Sequence, residues 1–245
     1  MDFSVILPTY NEKGNIVNLI QAIDNAVVGN GMSYELIVVD DNSPDGTADA
    51  VRSAYTGDEH VKVFVRTQER GLASAIYYGI EHARGDAVVV MDTDFQHDPN
   101  LIPRMVQFCR YYDAIVGSRF VMGGGMEQGY RYNYSYLFNF FVRLVTRTQI
   151  QDNLSGFFAM RRDKLLRMDG KRIFTGYGDY FIRLLYYAWR FGYSVLEIPV
   201  FYHVRPYGVS KSSFTRMIVN YSRTVFDLRL RQPRPESAPG ANAKK

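Results

Sequence analysis

Val88-Val89-Val90-Met91-Asp92-Thr93-Asp94-Phe95-Gln96-His97 is an apolar run that ends abruptly in two carboxylates two residues apart. The run reads as a buried strand, and the polar residues after it bring three oxygen donors together at its carboxyl end. Hard cations such as Mg²⁺ or Mn²⁺ take carboxylate and amide oxygens and leave positions open for substrate phosphates. Asp92, Asp94 and Gln96 are therefore a candidate metal set. A solvated strand-end turn is the plain alternative.

Outward from that strand, the first half alternates short apolar runs with amphipathic segments. Residues 3–7, 35–40, 61–65 and 87–92 read as strands. Ile16, Leu19, Ile20, Ile23 and Val27 recur at three- and four-residue steps, as do Ala73, Ile76, Tyr77 and Ile80 after Gly71. This βαβα alternation predicts an α/β fold with a mostly parallel sheet flanked by helices, its ligands lying beyond the carboxyl ends of the strands. In the second half, strands are expected at 114–117, 157–160 and 194–199, and a helix at 178–191.

A second strand ends the same way, in Val38-Val39-Asp40-Asp41-Asn42-Ser43-Pro44-Asp45-Gly46-Thr47. Asn42, Ser43 and Asp45 read as a turn that caps the following helix. Two adjacent carboxylates exceed what a turn requires, so Asp41 reads as a nucleoside ligand. Arg119 follows one later strand, and Arg205 and Lys211 flank Pro206-Tyr207-Gly208-Val209-Ser210 after another. All three are candidate phosphate contacts, against the commoner fate of a cation exposed on the surface. No Gly-x-Gly-x-x-Gly follows the first strand and no Walker loop is present, which argues against a dinucleotide oxidoreductase or an ATPase.

The 245 residues are 47% hydrophobic and 22% charged, which is enough to bury one core without disulfides or a structural metal. The single cysteine, Cys109, reads as a buried thiol and favours a reducing, cytoplasmic setting. Met1 leads directly into the first apolar run without a basic leader. A net charge of +4 suits an acidic partner. No stretch approaches the roughly 20 apolar residues that cross a bilayer, so any membrane contact is expected to be peripheral.

Residues 128–151 contain no acidic side chain and interleave Arg131, Arg143 and Arg147 with Tyr130, Tyr132, Tyr134, Tyr136, Phe138, Phe140 and Phe141. That composition suits a bilayer interface better than nucleic acid, with a core-packing helix as the alternative. Phe214, Met217, Ile218, Tyr221, Val225 and Leu228 form a second stripe among arginines, so 212–231 reads as a basic amphipathic helix on an anionic surface. Residues 232–245, rich in proline, alanine and glycine, read as a disordered tail.

Six motifs in order carry a more specific likeness. Leu7-Pro8-Thr9-Tyr10-Asn11-Glu12, the 40–47 turn, Asp92-Thr93-Asp94-Phe95-Gln96-His97, Gly117-Ser118-Arg119, Ser155-Gly156-Phe157 and Arg205 to Lys211 resemble the dolichyl-phosphate mannose synthase group of glycosyltransferase family 2. The resemblance implies a GT-A fold over 1–211. It places Pro8, Tyr10, Glu12, Val39 and Asp41 around the nucleoside, and Asp92, Asp94 and Gln96 on the metal, with Thr93 between them in the donor site. Arg119, Arg205 and Lys211 match phosphate-contacting positions, and Arg131 an acceptor-phosphate position. Asp94, Arg119 and Arg131 are thus the catalytic candidates.

The implied reaction is inverting transfer of a hexose from a nucleotide sugar, GDP-mannose by preference, to dolichyl or other polyprenyl phosphate at the cytoplasmic face of a membrane. Thr93, where mannose synthases often carry alanine, and Gly178-Asp179-Tyr180 depart from the group's pattern. They leave a UDP-glucose or other UDP-hexose donor open. A transferase acting on sugar hydroxyls and a catalytically silent nucleotide-binding protein are further alternatives. Some relatives use separate small membrane subunits, so such a subunit is a candidate partner.

Overall fold

The computed structural model describes residues 1–203 and 214–231, with side chains at 214–216 and 231 excepted. Arg205 and Lys211, and the expected tail at 232–245, lie outside the described residues. The chain begins β1 (Phe3–Thr9), α1 (Ile16–Val27), β2 (Tyr34–Asp40), α2 (Thr47–Ala54), β3 (Val61–Val65), α3 (Leu72–His82) and β4 (Ala87–Val90). It continues through α4 (Ile102–Phe108), β5 (Ala114–Ser118), β6 (Gly125–Met126), α5 (Gly129–Thr146), β7 (Phe158–Arg161), α6 (Arg162–Leu166) and α7 (Gly170–Ile173). α8 (Asp179–Arg190), β8 (Val195–Pro199), β9 (Phe201–Tyr202) and α9 (Phe214–Arg231) complete it.

Seven strands form one sheet in the order β3-β2-β1-β4-β7-β5-β8, while β6 and β9 pair separately. Every neighbouring pair in the large sheet is parallel except those made by β7, which runs antiparallel to both β4 and β5. The expected mostly parallel sheet is what forms, and its architecture is the GT-A fold.

Side-chain alternation along the central strands explains why both faces are covered. Ile6, Val88 and Val90 point into a core shared with α3, α8 and buried residues of α5 and α9. Val5, Leu7 and Val89 point the other way, into a core closed by α1 and α4. All five apolar positions of the α1 stripe are buried there. Full burial of each such side chain is worth about 1.5–3 kcal/mol, so the stripe rather than capping secures a helix whose N-cap residue makes no side-chain capping bond.

α5 divides its aromatic residues between two faces. Val142 and Thr146 are buried, and Phe138, Phe141 and Val145 pack against the core. Phe138 meets Tyr221 of α9 at 6.3 Å between ring centroids, and Phe141 meets Phe226 at 5.8 Å. Tyr130, Tyr134, Leu137, Phe140 and Leu144 recur at three- and four-residue steps on the outer face, where Leu137 is 65% and Leu144 68% exposed. The segment is thus a core-packing helix on one side and an exposed apolar ridge on the other. On α9, Ile218, Val219, Phe226 and Leu230 are likewise exposed. No helix among the described residues is long and apolar enough to cross a membrane.

Candidate active site

The carboxyl ends of β1, β2 and β4 open into a cleft of about 540 Å³, joined on its far wall by the start of α3 and by the loop before α8. Pro8, Tyr10, Glu12, Asp41, Asp92, Thr93 and Asp94 all line it. Seven sequence-predicted residues from three strand ends therefore share one cavity.

The loop after β1 is pinned from β2's turn. Asn11 N–H donates to Ser43 Oγ at 2.9 Å, Glu12 N–H to Thr47 Oγ1 at 3.0 Å, and Lys13 N–H to Asp45 Oδ2 at 3.1 Å. Ser43 and Asp45 thus do more than shape their own turn, because they orient the backbone carrying Tyr10 and Glu12.

Asp41 is buried, and its carboxylate accepts from Arg66 Nε and Gly71 N–H, each at 2.7 Å. It thereby fixes the 66–71 loop, whose Arg70 lies 5.7 Å from the Tyr10 ring centroid. Arg70, Gly71, Leu72, Ala75 and Tyr177 also line the cleft and were not foreseen. The Arg70-Gly71-Leu72 turn ahead of a helix was a visible signal for three of them; nothing local marks Tyr177.

Val39 is fully buried in the core beneath the cleft and does not line it. Its place in a parallel strand sends its side chain into packing, and its carbonyl accepts from Thr9 Oγ1 at 3.3 Å.

The loop after β4 is tightly braced. Phe95 adopts a left-handed conformation with φ 62°, uncommon for a residue with a bulky side chain. Asp94 Oδ1 accepts from Gln96 N–H at 3.1 Å, and Asp92 N–H donates to His97 Nδ1 at 2.9 Å. His97 is completely buried, stacks on Phe157 at 4.8 Å, and shares a 2.7 Å bond between Nε2 and the Tyr202 hydroxyl. Burial depresses its pKa to about 4, despite the nearby Asp94 carboxylate, so the ring is neutral with Nδ1 as acceptor. His97 is a supporting residue that motif reading quoted without giving it a role.

The donor set suits a hard cation. Asp92 and Asp94 offer carboxylate oxygens at the cleft, whereas Gln96 is not among the lining residues and its amide nitrogen reaches the His203 carbonyl at 3.4 Å. Among the described residues no group of three or more His, Cys, Asp or Glu is placed to hold a metal. Two carboxylates lining an open cleft fit an ion shared with substrate phosphates better than an all-protein cage.

Arg119 is not presented to the cleft. It is buried against Asp152, which accepts from its Nε and Nη2, and its guanidinium lies 4.8 Å from the Tyr202 ring centroid. Burial would lower its pKa, but the Asp152 charge and hydrogen bonds overcome that and hold it above the ordinary arginine value. Arg131 is exposed on the first turn of α5.

Residues 4–168 match the family described as glycosyl transferase family 2. The chain belongs to that family. Among curated members, it is 37% identical to a dolichol-phosphate mannosyltransferase of Pyrococcus furiosus, over 93% of this chain and 64% of that one. Enzymes of the same name from Saccharomyces cerevisiae and Mycosarcoma maydis are 33% and 29% identical, over 67% and 85% of this chain and 62% and 72% of theirs. The chain thus spans less than two thirds of the first two relatives. Among solved structures, glucosyl-3-phosphoglycerate synthase of Mycobacterium tuberculosis with Mn²⁺, UDP and phosphoglyceric acid superposes with a TM-score of 0.71 at 21% identity. That match covers 98% of this chain and 84% of the other, and at such identity it speaks for the fold. The same synthase has been crystallised with Mg²⁺ and UDP.

Proposed function

We propose that this family 2 member transfers a hexose, mannose from GDP-mannose, onto dolichyl or a related polyprenyl phosphate with inversion. The observation that carries this reading is the single cleft in which a pinned nucleoside wall, residues 8–12 with Asp41, adjoins the Asp92 and Asp94 strand end. The dolichol-phosphate mannosyltransferases among its relatives support the choice of sugar and acceptor.

In this reading Pro8, Tyr10, Glu12 and Asp41 seat the nucleoside, and Asp92 and Asp94, with Gln96 as a third oxygen donor, hold Mg²⁺ or Mn²⁺. When bound, the ion neutralises charge on the departing nucleoside diphosphate. Metal-bound complexes of the structurally similar synthase support that assignment. Arg131 meets the acceptor phosphate, while Arg205 and Lys211 contact phosphate from outside the described residues.

A phosphate monoester has a second pKa near 6, so at pH 7 it is already an anionic nucleophile. Its oxygen attacks the anomeric carbon opposite the diphosphate, the new C–O bond forms as the old one breaks, and no protein base is required. Positioning and charge stabilisation then supply the rate. The exposed ridge of α5 and the outer residues of α9, with the exposed Arg131, Arg147 and Arg223 on or next to the same two helices, provide a peripheral seat on the cytoplasmic face of an anionic membrane.

The test is a donor screen with a short polyprenyl phosphate, using GDP-mannose and UDP-glucose with and without Mn²⁺. Metal-dependent mannosyl-lipid formation is the expected result. Transfer from UDP-glucose alone would replace the donor, and transfer only to sugar hydroxyls would overturn the acceptor.

A further inference from the structure

We infer that Tyr177 contacts the sugar of the donor and is held in the cleft by a polar knot that α9 closes. The inference rests on reading the cleft as a nucleotide-sugar site. The nucleoside wall comes from the ends of β1 and β2, and Asp92 and Asp94 follow β4, one strand further along the sheet. Tyr177 enters the cleft on the 174–178 loop, which belongs to neither β1 nor β2 and stacks on α3 through Phe174 and Tyr77 at 5.7 Å. That loop leads into Tyr180, whose hydroxyl lies over Gly156 at the entrance to β7, the strand beyond β4. A donor with its nucleoside near Asp41 and its diphosphate at Asp92 therefore carries its hexose towards Tyr177. A phenol ring there offers an apolar face to sugar C–H groups and a hydroxyl to their oxygens.

The loop is knotted in place. Tyr177 N–H donates to Asp179 Oδ1 at 2.9 Å. Asp179 Oδ2 accepts from Arg183 Nη1 at 2.7 Å and from Thr224 Oγ1 of α9 at 2.9 Å. Arg183 also donates to Thr224 Oγ1 at 3.0 Å, to the Ile173 carbonyl at 3.0 Å and to the Thr175 carbonyl. Gly178 lets α9 approach, since a Cβ there would stand 2.2 Å from the Tyr221 hydroxyl. Gly176, at φ +75°, makes the turn that brings Asp179 back under the loop. Thr224 is thus a positioning residue: it touches no substrate and acts through Asp179 on the backbone of Tyr177.

Titration calorimetry with Mn²⁺, using the pairs GDP and GDP-mannose, UDP and UDP-glucose, separates the sugar from the nucleotide. For the pair that wild type recognises, Tyr177→Ala should weaken the sugar nucleotide roughly 10-fold and the free nucleotide less than about 2-fold. Thr224→Val should shift the same ratio in the same direction, by roughly 3-fold, and Thr224→Ser should restore it. Equal weakening of both ligands, or an unchanged ratio in Tyr177→Ala, overturns the sugar contact. A normal ratio in Thr224→Val overturns the part assigned to α9. A wild type that binds none of the four ligands overturns the donor-site reading itself, and the inference with it.

Discussion

Asp152 accepts three hydrogen bonds from Arg119: Nε to Oδ2 and Nη2 to Oδ1 at 2.7 Å each, and the backbone N–H to Oδ2 at 3.1 Å. Both side chains are buried, and Glu197 in turn holds the Asp152 N–H at 3.0 Å. Removing one partner strands a charge away from water. Asp152→Ala should therefore cost about 3–5 kcal/mol, whereas Arg119→Met with Asp152→Leu should cost much less. Urea unfolding of the two variants checks this. An Asp152→Ala protein as stable as wild type would show that solvent already reaches the pair.

Asp94→Ala deletes a carboxylate from the cleft and leaves β4 intact. Mn²⁺-dependent donor binding should disappear and turnover should fall by roughly 100-fold or more, with the unfolding midpoint little changed. Near-normal turnover at saturating Mn²⁺ would remove Asp94 from the metal set.

The two faces of α5 predict opposite phenotypes. Leu137→Ser, Phe140→Ser and Leu144→Ser together should abolish salt-resistant flotation with anionic vesicles and leave stability nearly unchanged, because these side chains are exposed. Phe138→Ser with Phe141→Ser should instead lose about 2–4 kcal/mol of stability, since those rings pack on the core. Attraction by the arginines is screened over a Debye length of about 8 Å at physiological salt, so a salt series separates it from apolar burial. If wild type fails to float even at low salt, a membrane subunit rather than lipid covers the ridge.

His97 makes stability pH-dependent with a definite sign. Burial holds its native pKa at about 4, below the ordinary 6.5 and helped by the Arg119 charge, so the unfolded chain takes up a proton that the native ring refuses in spite of Asp94 and Asp152. The neutral ring's contribution is therefore complete above pH 6.5 and is lost as pH falls towards 4. Urea unfolding from pH 7.5 to 4.5 should show the advantage of wild type over His97→Gln shrinking through that window. A constant difference would mean that His97 titrates alike in both states.

Periodicity alone located nearly every element of the sheet, because burial on both faces leaves a continuous apolar run that needs no tertiary knowledge to recognise. The strands at 61–65 and the α1 stripe match their observed bounds closely. The direction of β7 was not legible, since side-chain alternation is the same whichever way a strand runs. The GT-A fold and the family were legible from six motifs in register. Arg119 illustrates a different limit: an arginine after a strand looks the same from sequence whether its fork meets substrate or Asp152, 33 positions away. Arg66 and Tyr177 were missed for the same reason, since their partners and surroundings are assembled only by the fold.

The reversal of β7 also closes a circle in the chain. Val116 of β5 pairs with Phe158 of β7 in antiparallel register, so the chain between the end of β5 and the start of β7 leaves and re-enters the sheet at neighbouring points, like the loop of one very long hairpin. α5, with its inner packing and outer ridge, rides on that excursion. Exchange of that segment between homologous chains would leave β1 to β4 in register and would re-make only the pairing of β6 with β9 and of the end of β5 with β8. The exposed ridge of α5 can therefore diverge between relatives while the carboxylates after β4 stay where they are.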